Sequence, residues 1–252
     1  MIRIEREGKT AVVCFDRGKR LNAFNQVLIQ SLTEVAHEFE TDRVVQSIIL
    51  TGTRRAFSSG MDLEDEMWNM PEASDLERRE TYYSGVRLCA AWERLPQITI
   101  AAIEGMAVGA GVALALSCDW RVAARDAFLY VPEVKVGINL QWGALPRLIT
   151  LVGPARAKRI CLLCEKMPAE QALSWGLLDE TATADGAVEA ARALAAGVNQ
   201  QPDVTVRMVK EAINATSNAL HWATSYADAD QSQLSGAFQA ARTARTRFLD
   251  GK

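Results

Sequence analysis

Histidine is scarce in this chain, and several features that mark common classes of protein are missing. Of 252 residues only 2 are histidine, and Lys and Arg (28) are outnumbered by Asp and Glu (31). The net charge of -3 lacks the basic excess that a phosphate backbone attracts, so we expect no nucleic acid partner. The longest nearly uncharged run, residues 105–118, is too short to span a membrane. The N-terminus is charged from Arg3 onward, unlike a signal peptide.

Cysteine and histidine give no sign of metal or redox chemistry. The 5 cysteines are odd in number and lie in apolar contexts, which favours reduced thiols in a cytosol and predicts a cytoplasmic protein. Cys161 and Cys164 form a C-x-x-C pair, but no second pair accompanies it, so a core role is favoured. The acidic run at residues 62–66 indicates a helix start, because no histidine is near enough to complete a metal site. We expect no metal, and no catalytic role for His37 or His221.

Strands and helices alternate over the first two thirds of the sequence, which predicts an α/β core. Asn25 is expected to start a helix with one apolar face. The residues on that face are Leu28, Leu32, Val35 and Phe39. A long helix at residues 82–95 should stop before Pro96, since the residue preceding proline is disfavoured in helical geometry. Buried strands are predicted at residues 10–16, 47–51 and 98–103.

The C-terminal part of the chain is predicted to be helical throughout. We therefore divide the sequence into a core at residues 1–198 and a helical module at residues 199–252. The module's helices, predicted at residues 205–217, 219–234 and 236–249, carry narrow apolar stripes such as Val206, Val209 and Ile213. These stripes either bind another subunit or pack back onto the core, and the sequence leaves both alternatives open.

Two turns of small residues are the candidates for chemistry. The first, RAFSSGMDL at residues 55–63, contains a glycine that allows the backbone to approach a ligand closely. The second, GMAVGAGVA at residues 105–113, joins a strand to a helix, and free N–H groups at a helix start suit a developing negative charge. Two such donors on one oxygen form an oxyanion hole, which contributes about 3 kcal/mol per donor to catalysis.

In this order and spacing, the two turns resemble the crotonase (enoyl-CoA hydratase/isomerase) superfamily. The matching segments are DRGKRLNAF, RAFSSGMDL, AAIEGMAVGAGVALALSCDWRVA, VPEVKVGI and AEQALSWGLLDE. The resemblance implies an α/β fold built as a crotonase-like spiral of strand-strand-helix units, with a helical C-terminal module that mediates trimers. It also implies an acyl-CoA thioester as substrate, in a homotrimer or homohexamer. Coenzyme A is then part of the substrate, and no further cofactor is implied.

The resemblance assigns roles to individual residues. The N–H groups of Met61 and Ala110 would hold the thioester enolate oxygen, and Glu133 would be the acid/base, with a pKa raised by an apolar pocket. Substrate binding would involve Arg20, Ala23, Arg55, Ser59, Gly60, Asp62, Leu63, Gly109 and Trp142. Arg242, Arg245 and Arg247 would either meet the phosphates of coenzyme A or form a solvated helix face.

Three departures from the family pattern bear on the reaction. Family hydratases hold the attacking water with two glutamates, and Ala113 occupies the position of the first. A lone carboxylate at Glu133 fits double-bond isomerisation better, because isomerisation only takes a proton and returns it nearby. Gly18 replaces a common proline. Gln141 and Trp142 replace small residues, so Trp142 is expected either to reshape the acyl pocket or to fill the core.

Other reactions on the same scaffold stay open. Hydration, thioester hydrolysis and decarboxylation all use an oxyanion hole, and a non-catalytic acyl-CoA-binding protein would need no base. A dinucleotide-binding turn of the form G-x-G-x-x-G is not matched, because Leu114 stands where its last glycine belongs. A serine hydrolase would need G-x-S-x-G, which the sequence lacks.

Overall fold

The computed structural model describes residues 1–65, 67 and 70–250. The strands are β1 (Ile2–Glu7), β2 (Thr10–Phe15), β3 (Ser47–Thr51), β4 (Ile98–Ile103), β5 (Met106–Val108), β6 (Trp120–Ala124), β7 (Phe128–Tyr130), β8 (Met167–Pro168) and β9 (Glu180–Ala182). The helices of the core are α1 (Gln26–Glu40), α2 (Asp75–Tyr82), α3 (Ser84–Glu93), α4 (Ala110–Leu116), α5 (Glu133–Val136), α6 (Ala144–Leu163), α7 (Ala169–Trp175) and α8 (Ala187–Asn199). Those that follow are α9 (Asp203–Ser217), α10 (His221–Ser225), α11 (Asp228–Ala237) and α12 (Gln239–Asp250).

The main sheet has 6 strands in the order β1-β2-β3-β4-β6-β9, and a second sheet of 3 strands has the order β5-β7-β8. Only the β1–β2 pair of the main sheet is antiparallel. Strands β3 and β4 are buried along their whole length, because helices cover both faces of a parallel sheet. The predicted α/β class and its three buried strands are confirmed. The sequence does not predict β1, whose charged residues fit an exposed edge strand.

Helix α1 forms as predicted. The Asn25 side chain accepts a hydrogen bond from the Leu28 N–H at 3.0 Å, which satisfies a free donor of the first turn. The predicted face is buried against α3, where Trp92 Nε1 donates to the Leu32 carbonyl at 3.1 Å. This packing fixes α3 along α1.

Several predicted helices differ in extent from those of the structure. The helix expected at residues 82–95 is α3, which begins at Ser84 and ends at Glu93, before Pro96, and α2 is a separate helix that precedes it. The helix expected at residues 219–234 is divided, into α10 and α11. Helix α6 contains a break at Gly153, whose φ is +76°, and Pro154 begins its second half. Of the acidic run, residues 63–65 form turns, and Glu66 lies outside the described residues.

The C-terminal helices contact the core at buried polar groups. Lys210 on α9 donates to the Gln97 carbonyl at 2.7 Å and pairs with Asp119 at 2.6 Å. Val206 packs against the core, whereas Val209 and Ile213 remain 52% and 59% exposed, so only part of the predicted stripe packs back onto the core. The domain boundary near residue 199 stays a prediction. In the described part of the chain, no helix has the length and apolarity needed to cross a bilayer.

Candidate active site

A short left-handed turn before α1 is held by one asparagine. Arg20, Leu21 and Asn22 all have positive φ, at 54°, 49° and 61°. The buried Asn22 amide donates to the carbonyls of Phe15 and Phe57, each at 2.9 Å, and its Oδ1 accepts the Arg17 N–H at 2.9 Å. These bonds offset the cost of the unusual backbone. The role of Asn22 was missed in the sequence, where only the backbone of this segment was considered.

The turn lies alongside the first glycine-containing segment and orients Met61. The Phe24 N–H donates to the Gly60 carbonyl at 2.7 Å, and the Asp62 N–H donates to the Phe24 carbonyl at 2.8 Å. Met61 lies between the two residues that form these bonds with Phe24. Its own N–H therefore points away from Phe24. Among the described residues no acceptor takes this hydrogen.

In the second segment, α4 begins at Ala110, which leaves another N–H free. Gly109 has φ +50° and ψ -110°, a conformation open to glycine, and its N–H donates to the Tyr130 carbonyl at 2.8 Å. Ala110 begins α4, so its N–H has no acceptor within the helix. Within the described chain no other group accepts it.

The two segments are hydrogen-bonded to each other. Ser58 N–H donates to the Met106 carbonyl at 3.2 Å, and Val108 N–H donates to the Ser58 carbonyl at 2.9 Å. A Cβ placed on Gly60 would lie 3.1 Å from the Val108 oxygen and 3.9 Å from the Ala110 nitrogen. The glycine therefore permits the close approach that brings the segment of Met61 to the start of α4.

Glu133 is the first residue of α5, and its carboxylate lies beside the second segment. A Cβ on Gly109 would lie 2.6 Å from Glu133 Oε1. Oε2 is buried, and no group of the described chain hydrogen-bonds to it. Burial raises the pKa of Glu133 to about 7, opposed only by a hydrogen bond from its own backbone. The structure thus brings a carboxyl group of near-neutral pKa to the start of α4, as expected for a general base.

Position 113 carries no second acid. Ala113 lies on α4 with 1% of its surface exposed, and every residue of that helix is buried. Cys161 lies within electrostatic reach of Glu133, but burial, reinforced by this carboxylate, raises its pKa to about 12. The thiol is therefore neutral and adds no charge to the site. Cys161 and Cys164 are both free cysteines.

Arg20 and Asp62, both predicted to bind substrate, are joined by an ion pair. Asp62 is 5% exposed and contacts Arg17 at 2.6 Å and Arg20 at 3.3 Å. Burial alone would raise the pKa of Asp62, but the hydrogen bonds from Arg17 and Glu64 N–H and the two positive charges lower it. Arg17 was not singled out in the sequence. The pairing gives the Asp62 carboxylate a role in holding the turn.

A cleft of about 600 Å³ opens at this turn. Its walls include Arg17, Lys19, Arg20, Gln26, Asp62 and Thr81. The cationic residues lie together on the segment before α1, and Met67 and Met70 add apolar wall. The cleft is large enough for part of an extended ligand with a charged end.

The other predicted binding residues have varied positions. Ser59 Oγ donates to the Arg20 carbonyl at 2.8 Å, and Ala23 is buried in the turn. Leu63 is partly buried, whereas Arg55 is exposed. The Arg55 carbonyl oxygen occupies the space that a side chain on Gly105 would need. Trp142 is 4% exposed and belongs to the main hydrophobic core.

The C-terminal helix α12 reaches the segment that carries Glu133. A Cβ on Gly137, at the end of α5, would lie 2.6 Å from Ala241 Cα. Helix α12 also carries Arg242, Arg245 and Arg247, so this packing places the arginine-bearing helix against α5 of the same chain.

His221 lies on α10 beside Glu93 and Thr150, and His37 lies on α1 beside Glu40.

Comparisons of the sequence and of the structure with known proteins identify the same family. The sequence profile of the enoyl-CoA hydratase/isomerase family matches residues 5–251. A short-chain-enoyl-CoA hydratase of Clostridium acetobutylicum is 34% identical over 212 residues, covering 84% of this chain and 80% of that protein. The 1,2-epoxyphenylacetyl-CoA isomerase of Escherichia coli is 34% identical over 208 residues, covering 81% of this chain and 79% of that protein. The crystal structure of an enoyl-CoA hydratase from Mycobacterium avium subsp. paratuberculosis superposes with a TM-score of 0.87 at 25% identity, covering 100% of this chain and 96% of that one.

Proposed function

Because the chain belongs to the enoyl-CoA hydratase/isomerase family of the crotonase superfamily, we propose that it moves a carbon–carbon double bond within an enoyl-CoA thioester. Glu133 is the acid/base in this proposal, and the N–H groups of Met61 and Ala110 hold the thioester oxygen. The observation that carries the proposal is the Glu133 carboxylate against Gly109, one residue before a free helix N–H.

The proton transfers follow from this arrangement. Ionised Glu133 removes a proton from the carbon next to the thioester carbonyl, and electrons move onto the carbonyl oxygen. That oxygen, now negative, is stabilised by the two N–H groups. The protonated Glu133 then returns the proton two carbons further along, which shifts the double bond. A pKa near 7 allows one carboxyl group to accept and then donate the proton at neutral pH.

Hydration is the second candidate reaction. It is favoured by the name of the Clostridium relative, a short-chain-enoyl-CoA hydratase. Addition of water needs a group that activates the water and a group that protonates the neighbouring carbon, and Ala113 provides neither. We therefore place isomerisation first. The E. coli relative is named for the isomerisation of an epoxide, so its name favours neither of the two reactions.

Substrate binding is proposed to use the turn before α1. The cleft beside Arg17, Lys19 and Arg20 would take the charged end of coenzyme A, while the acyl group extends past Met61 toward Glu133. The backbone of Ala23 and of residues 59–63 would hold the pantetheine arm. Arg55 and the arginines of α12 are further candidates for the phosphates.

The test is an assay of the purified protein with matched thioesters. A series of 2-enoyl-CoA and 3-enoyl-CoA esters of equal chain length is incubated with the protein, and the products are separated by chromatography. The proposal predicts interconversion of the two enoyl forms at a rate exceeding that of 3-hydroxyacyl-CoA formation. Faster water addition would establish hydration instead, and binding without turnover would indicate a non-catalytic acyl-CoA-binding protein.

A further inference from the structure

Glu133 begins a helix that is too short to be stable by itself. Helix α5 has four residues, Glu133–Val136, and a single turn forms too few internal hydrogen bonds to offset the entropy lost in ordering it. It ends at Gly137, which has φ +83° and whose N–H donates to the carbonyls of Glu133 and Val134. The Ile138 N–H donates to the Glu133 carbonyl as well, at 3.0 Å. The backbone of Glu133 therefore depends on the residues that follow α5.

Helices α11 and α12 lie against the end of α5. Ser235 Oγ on α11 donates to the Gly137 carbonyl at 2.9 Å. A Cβ on Gly236, the next residue of α11, would lie 3.9 Å from Ile138 Cγ2, and a Cβ on Gly137 would lie 2.6 Å from Ala241 Cα on α12. Both helices therefore enclose the residue that ends α5, and Ser235 bonds directly to it.

Asp228 fastens the rest of this segment to the first turn of α11. Its carbonyl accepts a hydrogen bond from the Asn139 side chain at 3.2 Å, and its carboxylate accepts the Gly143 N–H at 2.7 Å. Between these two bonds, the Gln141 side chain donates to Ser232 Oγ at 3.2 Å. Asp228 and Ser232 are 7% and 3% exposed, so solvent does not readily replace a partner that is lost here.

We propose that Ser235 and Asp228 are positioning residues, through which α11 holds the segment after Glu133 and keeps its carboxyl group beside Gly109. This inference rests on the proposed function, since it takes Glu133 as the base. The pKa of this carboxyl group is raised by burial, so water that enters beside a loosened α5 would lower it. Loss of either contact should therefore change how the base titrates, which a general loss of stability would not do.

The first measurement is amide hydrogen exchange in residues 131–143, followed by mass spectrometry of the full-length protein. Ser235→Ala removes the bond to Gly137, and Asp228→Ala removes the bond to Gly143. We expect exchange in this segment to accelerate by at least about fivefold in each variant, because local opening is then opposed by fewer contacts. Asp228→Asn keeps an oxygen for the Gly143 N–H and should exchange at close to the wild-type rate.

The matched control is Ser225→Ala in α10. Ser225 is 7% exposed, and its hydroxyl donates to the His221 carbonyl of the same helix. This substitution removes the same group from the same part of the chain, but at a distance from α5 along the chain. It should leave exchange in residues 131–143 unchanged.

The second measurement is the pH dependence of kcat/KM with the best enoyl-CoA substrate. For the wild type we expect a midpoint near pH 7, since burial raises the pKa of Glu133 to about 7. In Ser235→Ala and Asp228→Ala the midpoint should move to about pH 6 or lower, because water then reaches the carboxyl group. Asp228→Asn and Ser225→Ala should keep the wild-type midpoint.

Two results would overturn the inference. Exchange in residues 131–143 could stay at the wild-type rate in Ser235→Ala and Asp228→Ala, or it could accelerate while the midpoint of the pH profile does not move. If Asp228→Ala does not fold, Ser235→Ala decides alone, since it removes a single hydroxyl group. If no enoyl-CoA is turned over, the proposed function fails, and the exchange rates test the hold of α11 on this segment by themselves: acceleration supports it, and wild-type rates refute it.

Discussion

The Glu133 carboxylate contacts the backbone of Gly109: a Cβ on this glycine would lie 2.6 Å from Glu133 Oε1. Gly109 precedes Ala110, whose N–H is free at the start of α4. The proposed base and one proposed oxyanion donor are therefore positioned by the same turn, and a single side chain added at position 109 should disturb both.

Gly109→Ala should abolish most of the activity. The added Cβ meets Glu133 Oε1, and alanine is strained at φ +50° and ψ -110°. We expect kcat to fall by at least about 10²-fold, as for loss of one oxyanion donor. The matched control is Gly197→Ala on α8, where nothing lies within 4 Å of the added Cβ. That change should leave kcat unaltered and stabilise the helix by up to about 1 kcal/mol in urea unfolding. Equal kcat in the two variants would contradict the arrangement.

The pH profile should report the titration of Glu133. Burial raises its pKa to about 7, and only the ionised form can accept a proton from the substrate. Activity measured as kcat/KM should therefore rise about tenfold per pH unit below pH 7 and level off above it. A profile that is flat from pH 5.5 to 8 would show that another group, or no titrating group, acts as the base.

Installing the missing carboxylate should change the products. Ala113 lies on α4 at the position where family hydratases carry a glutamate, so Ala113→Glu supplies a second acid/base near the site. We expect the ratio of 3-hydroxyacyl-CoA to isomerised enoyl-CoA to increase by about tenfold or more, because hydration uses two proton-transferring groups. Ala113→Gln is the control of equal size. If both variants give the wild-type ratio, position 113 does not decide between the reactions.

Self-association is predicted from the apolar side chains of the C-terminal helices. Met208, Ile213, Leu220 and Trp222 are 63%, 59%, 69% and 63% exposed, and burying such a surface favours assembly. Light scattering at micromolar concentration should give three or six chain masses. Met208→Glu with Ile213→Glu should shift the mass toward one chain, whereas Val44→Glu, 72% exposed on the core, should not. A monomeric wild type would refute this prediction.

Elements with a strong local pattern could be predicted from the sequence. The apolar runs of β2, β3 and β4 and the capped, one-faced α1 match their predicted positions. Strand β1 could not be recognised, because its own residues are mostly charged and it joins the sheet only by pairing with β2. The helix predicted at residues 82–95 corresponds to α3, and its end before Pro96 follows from the proline itself.

The residues of the candidate site likewise include some that could be predicted from the sequence and some that could not. Glu133, Met61 and Ala110 followed from family motifs, and the structure brings the segments of all three together. Asn22 and Arg17 were missed because their partners are distant in sequence: Asn22 bonds to a carbonyl 35 residues away, and Arg17 pairs with Asp62, 45 residues away. The contact of Trp142 with Gly85 is likewise invisible in the sequence, because it depends on the approach of α3 to the loop before α6.

The central claim is that Glu133 transfers the proton of an acyl-CoA thioester, and hydrogen exchange tests it most directly. Wild type and Glu133→Gln are incubated in D₂O with the enoyl-CoA that binds best, and deuterium uptake next to the thioester carbonyl is followed by mass spectrometry. Calorimetric binding and melting at pH 8 serve as controls. A buried carboxylate with a raised pKa destabilises the ionised protein above pH 7, so the variant should melt no lower than the wild type there. We predict that exchange falls by roughly 10²–10⁴-fold with little change in binding. Exchange by Glu133→Gln at the wild-type rate would contradict the assignment.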